Sequence, residues 1–299
     1  MAKSRLKFAI FGNTYQEKKS SSIERLLQLL QNKGDEVMID AEFYAYLKEG
    51  RGIVLDGIRR FTRGDFDADF VLSMGGDGTF LKAAARVGNK GIPILGINTG
   101  RLGFLADVSA DEIDHSVEAL HQGDFIVESR TVVQVKTNAE ALETYNCALN
   151  DVSILKRDTA SMITIRASVG GEYLTTYQAD GLIVSTPTGS TAYSLSVGGP
   201  VIDPHTDVLL LTAVAPHSLN MRPVVIPGDA EVTLEVESRS HTFLVALDGR
   251  SVRCRQGVQL TLRKAPYDVK VIKRKSQRYY RTLREKMMWG EDRRAAKNG

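Results

Sequence analysis

Residues 69–87 read DFVLSMGGDGTFLKAAARV, and the fold follows from how this stretch is parsed. Phe70–Met74 is an apolar run of the right length for one buried strand. Gly75, Gly76 and Gly78 interrupt it, and Leu81–Val87 resumes with helix-forming residues, with Thr79 where an N-cap is wanted. The expected unit is strand, glycine turn, helix, with Asp77 held in the turn. Glycines let a ligand approach the backbone, and a helix start offers free N–H groups to an anion. A carboxylate in that field has three readings. It binds a cation, it takes a proton from the group being phosphorylated, or it caps the turn locally.

The same alternation extends to both sides. Leu6–Phe11 predicts a first strand; Ile23, Leu26, Leu27 and Leu30 have helical spacing, closed by Gly34; Glu36–Ile39 and Ile92–Ile97 predict further strands. Strands alternating with helices imply a parallel sheet covered on both faces. Its last strand runs into NTGRLGFL at 98–105, a second glycine-punctuated loop at a carboxyl end, where open α/β sheets bind ligands. A helix over about 111–121 follows, stopped by Gly123.

Beyond Ile126–Arg130 the period changes to two. Thr131–Lys136, Met162–Val169, Glu231–Val236, Thr242–Leu247, Val258–Leu262 and Val269–Ile272 predict an antiparallel, β-rich second domain. Ser276–Met287 returns to helix and is expected to pack on the first domain, followed by a disordered tail. The expected domains are therefore 1–127, 128–274 and a C-terminal segment 275–299. The cations Lys270, Lys273, Arg274, Lys275, Arg278, Arg281 and Arg284 read as a solvated face, since no nucleic-acid motif accompanies them.

Composition narrows the function classes. A chain of 299 residues with 42% hydrophobic and 25% charged residues suits a soluble two-domain protein, and no apolar run spans a bilayer. MAKSRLKFAIFG passes from basic residues into a strand without a secretory cleavage site, so a cytoplasmic protein is expected. Cys147 and Cys254 have no metal or redox spacing, and the five histidines form no ligand pair. A Mg²⁺ held by carboxylate and phosphate stays open. IFGNTY after the first strand lacks the G-x-G-x-x-G of a dinucleotide dehydrogenase.

Ala179–Pro200, ADGLIVSTPTGSTAYSLSVGGP, is the second informative block. Gly181–Ser185 is a strand, Thr186–Gly189 a turn, and Ser190–Ser196 a short helix whose first turn either offers hydroxyls and free N–H groups to an anion or a ribose or is simply capped by its own Ser and Thr. Asp180 stands ahead of it, able to accept two hydroxyls. Asn150-Asp151 reads either as a purine- or ribose-binding pair or as a β-turn.

GGDGTF at 75–80, NTGRLGFL at 98–105, Asn150-Asp151, the block at 180–200 and LDGR at 247–250 occur in one order that resembles the NAD kinases, over nearly the whole chain. GGDGT alone is shared with diacylglycerol, sphingosine and 6-phosphofructo-kinases; TPTGSTAYS is more specific. The resemblance implies an α/β domain and a β-rich domain with the active site between them, and phosphorylation of the adenosine 2′-hydroxyl of NAD by ATP. It makes Asp77 the base and puts Gly78 along the NAD and Phe104 near the adenine. Asn150 and Asp151 match an Asn-Glu pair, with the shorter Asp in place of Glu. It further assigns Asp180 and the run Thr191, Ala192, Tyr193, Ser194, Leu195 and Ser196 to NAD, with Ser161, Gln178 and Arg250 at additional contact positions. Asn13 and Arg101 are candidates for the donor side. No protein metal ligands are expected, Mg²⁺ arriving on the donor phosphates, and a homodimer or homotetramer is implied. A lipid or sugar kinase built on the same turn, and a dinucleotide sensor, are the rival classes.

Overall fold

The structure is a computed structural model that describes residues 5–14, 20–100, 103–138, 142, 146–158, 161–275 and 278–289. Arg101 and the tail beyond Trp289 lie outside the described residues, as do Ser276 and Gln277. The chain divides into two compact units, Met1–Glu128 with Lys270–Gly299, and Ser129–Val269.

The first unit begins with β1 (Lys7–Gly12), α1 (Ser20–Asn32), β2 (Glu36–Asp40), α2 (Ala41–Ala45) and β3 (Arg59–Phe61). It continues through β4 (Phe70–Gly75), α3 (Asp77–Val87), β5 (Ile94–Asn98), β6 (Val108–Ser109), α4 (Ile113–Gln122) and β7 (Ile126–Arg130). Strands β3-β2-β1-β4-β5 lie side by side, all parallel. Apolar spacing explains the layers: Ile23, Leu26, Leu27 and Leu30 of α1 and Val117 and Leu120 of α4 are buried with Phe8, Ile10, Leu72 and Leu95 of the sheet. Each such side chain contributes about 1.5–3 kcal/mol by leaving water. The chain passes from β1 out to β3 and then crosses to β4 on the other side of β1, which makes the β1/β4 carboxyl ends a topological switch point. There Asn13 donates its N–H to the Met74 carbonyl at 3.1 Å.

The second unit comprises β8 (Val133–Thr137), β9 (Cys147–Ala148), β10 (Asp151–Lys156), β11 (Ile163–Val169), β12 (Glu172–Ala179) and β13 (Gly181–Ser185). A single turn, α5 (Tyr193–Ser196), precedes β14 (Val208–Val214), β15 (Val224–Pro227), β16 (Val232–Glu237), β17 (Thr242–Leu247), β18 (Arg250–Arg255) and β19 (Gln259–Lys264). Two six-stranded sheets result, ordered β15-β14-β13-β10-β17-β18 and β12-β11-β16-β19-β8-β9. Their pairings are antiparallel. Val152, Ile154, Leu182 and Val184 of one sheet and Ile165, Leu234 and Leu260 of the other share one core. Alternation along β16, buried and then not, is the signature of a sandwich strand.

The chain then returns to the first unit with β20 (Val269–Lys273) and α6 (Tyr279–Met287). Alternation at 269–272 suggested another strand of the β-rich domain, but β20 pairs in parallel with β5, Val271 beside Ile94. Period two reports a strand and not the sheet it joins. Of the cation run read as a solvated face, Lys275, Arg278, Arg281 and Arg284 are exposed as expected, whereas Lys273 and Arg274 depart from that reading. Lys273 is 6% exposed and paired with the buried Asp107, and Arg274 pairs with Glu112.

Candidate active site

In the first unit Asp77 is the first residue of α3, with Gly76 as N-cap, so the expected cap at Thr79 is corrected: Thr79 lies within the first turn. The hydrogen bonds of the Asp77 carboxylate run to residues 104–106 and not to its own turn, which speaks against the reading of Asp77 as a local cap. Its carboxylate instead reaches across the fold. Oδ2 accepts the N–H of Phe104 at 2.9 Å, and Oδ1 accepts those of Leu105 and Ala106 at 3.0 Å each. The GGDGT turn and the GFL loop are thus two halves of one device, three backbone donors fixing one carboxylate.

Glycine at 103 is demanded by that approach, because a Cβ there would stand 2.0 Å from Asp77 Oδ1. At Gly76 and Gly78 a Cβ would meet no atom within 4 Å, so the chain's own packing does not require glycine there. Lys286 of α6 completes the surroundings, its Nζ 3.6 Å from Asp77 Oδ2 and 4.2 Å from the Phe104 ring centre. Spacing in the sequence did not reveal Lys286 or the role of Gly103.

In the second unit the block at 180–200, the Asn150-Asp151 pair and LDGR meet through hydrogen bonds. Asp248 accepts the N–H groups of Leu149 and Asn150 at 2.8 Å each and of Asp151 at 3.3 Å. Asp248 itself sits at φ +48°. Thr186 donates its N–H to the Asn150 carbonyl at 2.9 Å and its hydroxyl to the Leu149 carbonyl at 2.6 Å. Gly189 packs so closely that a Cβ would lie 2.0 Å from the Asn150 carbonyl oxygen. Burial raises the Asp151 carboxyl to about 6, opposed by the Ser153 hydroxyl donating at 2.8 Å. Burial also raises Asp248, against the pull of its three N–H partners and of Arg250.

The remaining assigned residues are distributed as follows. Asp180 is ion-paired with Lys156 at 2.7 Å. Arg250 donates to the Leu247 and Cys147 carbonyls at 3.3 and 3.4 Å. At 190–196 the hydroxyls have partners within the chain, and a hydroxyl that donates keeps acceptor lone pairs for a ligand. Thr191 donates to the Thr188 carbonyl, Ser194 pairs with Thr212, and Ser196 donates to the Tyr193 carbonyl, because a segment broken into a 3₁₀ turn and a single α turn bonds its own backbone. Ala192 and Leu195 are half-buried and Tyr193 is exposed. Ser161 and Gln178 line a cavity of about 590 Å³ with Thr164, Glu237 and His241, and none of the other assigned residues lines it.

Among the described residues no three His, Cys, Asp or Glu side chains converge as a metal site. With Asp77 engaged by three N–H groups, the donor set of the described residues does not fit a resident cation, and a Mg²⁺ belongs with the nucleotide substrate.

Residues 8–125 match the ATP-NAD kinase N-terminal domain and residues 149–274 the ATP-NAD kinase C-terminal domain. The chain is 57% identical over 287 residues to an NAD kinase of Bacteroides fragilis, covering 96% of this chain and 99% of that one. It is 42% identical over 293 residues to an NAD kinase of Flavobacterium psychrophilum, covering 97% and 100%. Among solved structures it is similar to an NAD kinase from Archaeoglobus fulgidus in complex with ATP, at TM-score 0.73 and 26% identity, covering 94% of this chain and 98% of that one. A yeast NADH kinase complexed with NADH shares the fold at TM-score 0.87 and 19% identity, covering 96% and 88%.

Proposed function

The chain belongs to the NAD kinase family and phosphorylates NAD to NADP with ATP, and we propose that Asp77 is the group on which the transfer turns. The 2′-hydroxyl of the adenosine ribose donates its hydrogen bond to the Asp77 carboxylate. Its oxygen attacks the γ-phosphorus in line, the bond from that phosphorus to the β–γ bridging oxygen breaks, and the proton leaves through the carboxylate, giving NADP⁺ and ADP. In a loose phosphoryl transfer the hydroxyl loses its proton late, so the carboxylate acts mainly by aiming the nucleophile.

The observation that carries this reading is the three-donor clamp on Asp77, which holds a carboxylate rigidly at a backbone turn open to a ligand. Gly78 and Phe104 lie beside it and are assigned to NAD. Asn150, Asp151, Ser161, Gln178, Asp180, Thr191–Ser196 and Arg250 are assigned to NAD on the family resemblance. Support for Asn150 and Asp151 comes from the bonds that Asp248 makes to their backbone. Asn13, at the switch point, is assigned to the donor side. The donor is taken to enter as its Mg²⁺ complex, with other nucleoside triphosphates or polyphosphate as alternative donors.

We further infer a homodimer or homotetramer. Leu219 (93% exposed) and Val225 (50% exposed, on the edge strand β15) support this, and molar mass in solution tests it. A cytoplasmic site is proposed; no described helix is long and apolar enough to cross a membrane.

The deciding experiment is turnover of Asp77→Asn with NAD and ATP. Loss of about 100-fold or more in kcat with little change in KM for NAD is expected. Near-normal turnover overturns the assignment.

A further inference from the structure

We propose that Lys286, on the C-terminal helix α6, is the cation that meets the transferring phosphoryl group. This rests on the reading of Asp77 as acceptor of the 2′-hydroxyl.

A carboxylate has about four acceptor positions. Oδ1 of Asp77 uses both of its own on Leu105 and Ala106, and Oδ2 uses one on Phe104. The fourth, on Oδ2, is therefore the place for the ribose hydroxyl. Lys286 Nζ stands 3.6 Å from that same oxygen, too long for a hydrogen bond, so it supplies charge without consuming the last acceptor position.

A hydroxyl bonded to Oδ2 at about 2.8 Å, with phosphorus about 3–3.5 Å beyond it, brings the phosphoryl oxygens within reach of an ammonium on a four-carbon stem. Bringing a polyphosphate against Asp77 sets like charges together, and a cation at this point offsets the repulsion and stabilises the charge that builds up during transfer. The Phe104 ring, 4.2 Å from Nζ, holds the ammonium over the site by its π face.

A tether for α6 is the competing account. It does not need Lys286, because Leu283 and Thr282 of the same helix are already buried at 3% and 8% exposure.

The test compares K286Q and K286R with the unaltered enzyme in full steady-state kinetics with NAD and ATP, alongside thermal melting. K286Q is expected to lose about 100-fold in kcat, with KM for NAD within about threefold and the melting temperature unchanged. K286R, which keeps the charge, is expected to retain at least about a tenth of kcat. A K286Q enzyme with kcat within about threefold of the unaltered one overturns the proposal while leaving Asp77 in place if D77N is inactive. A stably folded K286R as impaired as K286Q also overturns it, and normal turnover by D77N removes this inference together with the reading beneath it.

Discussion

The carboxylate of Asp248 accepts the backbone N–H of Asn150 at 2.8 Å, 98 residues away in the chain. Asp248 is the second residue of LDGR, and the same side chain also holds Leu149 and Asp151. The Asn150-Asp151 pair therefore owes its backbone geometry to a residue on another strand connection and not to a β-turn of its own making.

Asp248→Asn puts an amide NH₂ against a row of N–H donors and leaves a single acceptor oxygen. The expected result is destabilisation by about 1–3 kcal/mol and a KM for NAD raised at least about tenfold. Urea unfolding and steady-state kinetics read the two effects separately. An unchanged KM would detach the Asn150 loop from NAD binding.

Gly103 and Gly78 make a matched pair. Gly103→Ala drives a Cβ to within 2.0 Å of Asp77 Oδ1, so the loop shifts and the clamp opens. A cost of about 1–3 kcal/mol and a fall of about 100-fold in kcat are expected. Gly78→Ala meets nothing within 4 Å, so its stability holds or rises by about 0.4–1 kcal/mol. Activity lost in that stable variant reports a ligand passing over the turn, whereas full activity places the NAD elsewhere.

Asp151 predicts a pH dependence of stability. Its carboxyl titrates at about 6 in the folded chain, against about 3.9 when unfolded, because burial penalises the charged form. The folded state holds the proton to higher pH, so this group's stabilisation is full below about pH 4 and is lost as pH rises through about 6. The change is on the order of 3 kcal/mol. Asp151→Asn stays neutral throughout, and its stability relative to the unaltered protein should improve from pH 5 to pH 8. Parallel melting curves at the two pH values would contradict this.

Lys273 and Asp107 form a buried pair, at 6% and 5% exposure. Lys273→Met alone strands a buried carboxylate and should cost about 3–5 kcal/mol, while K273M with D107L is expected to recover most of it. Denaturant midpoints of the two variants decide. Equal large losses would show that an apolar pair does not replace the ion pair here, and no loss in either variant would show that β20 is held by its ladder and not by the pair.

Much of the first unit was legible because β1, α1, β2, β4, α3, β5 and α4 declare themselves locally, whereas residues 41–63 carry no clear period and their helix and the strand β3 were not legible. Gly75-Gly76-Asp77-Gly78 could be read as a turn before a helix from residue type alone. What stayed hidden depends on contacts distant in sequence: Phe104–Ala106 as donors to Asp77, Lys286 as its neighbour, Asp248 as the support of Asn150. Thr79 misled because a hydroxyl after glycines looks like a cap, while Gly76 already occupies that position. At Ser190–Ser196 residue type alone could not separate a ligand site from hydroxyls that bond their own chain, because both use the same side chains.

By itself the sequence determined the strand–turn–helix at 69–87, the change of period near Glu128 and the kinase family, since side-chain periodicity, glycine placement and ordered motifs are one-dimensional properties. Only tertiary structure decided that β20 joins the parallel sheet, that Lys273 is buried, and that Asp77 is clamped by the GFL loop. Those outcomes turn on which backbone donors and charges the fold brings within about 3 Å of one another, and hydrogen bonding at that range is blind to separation along the chain.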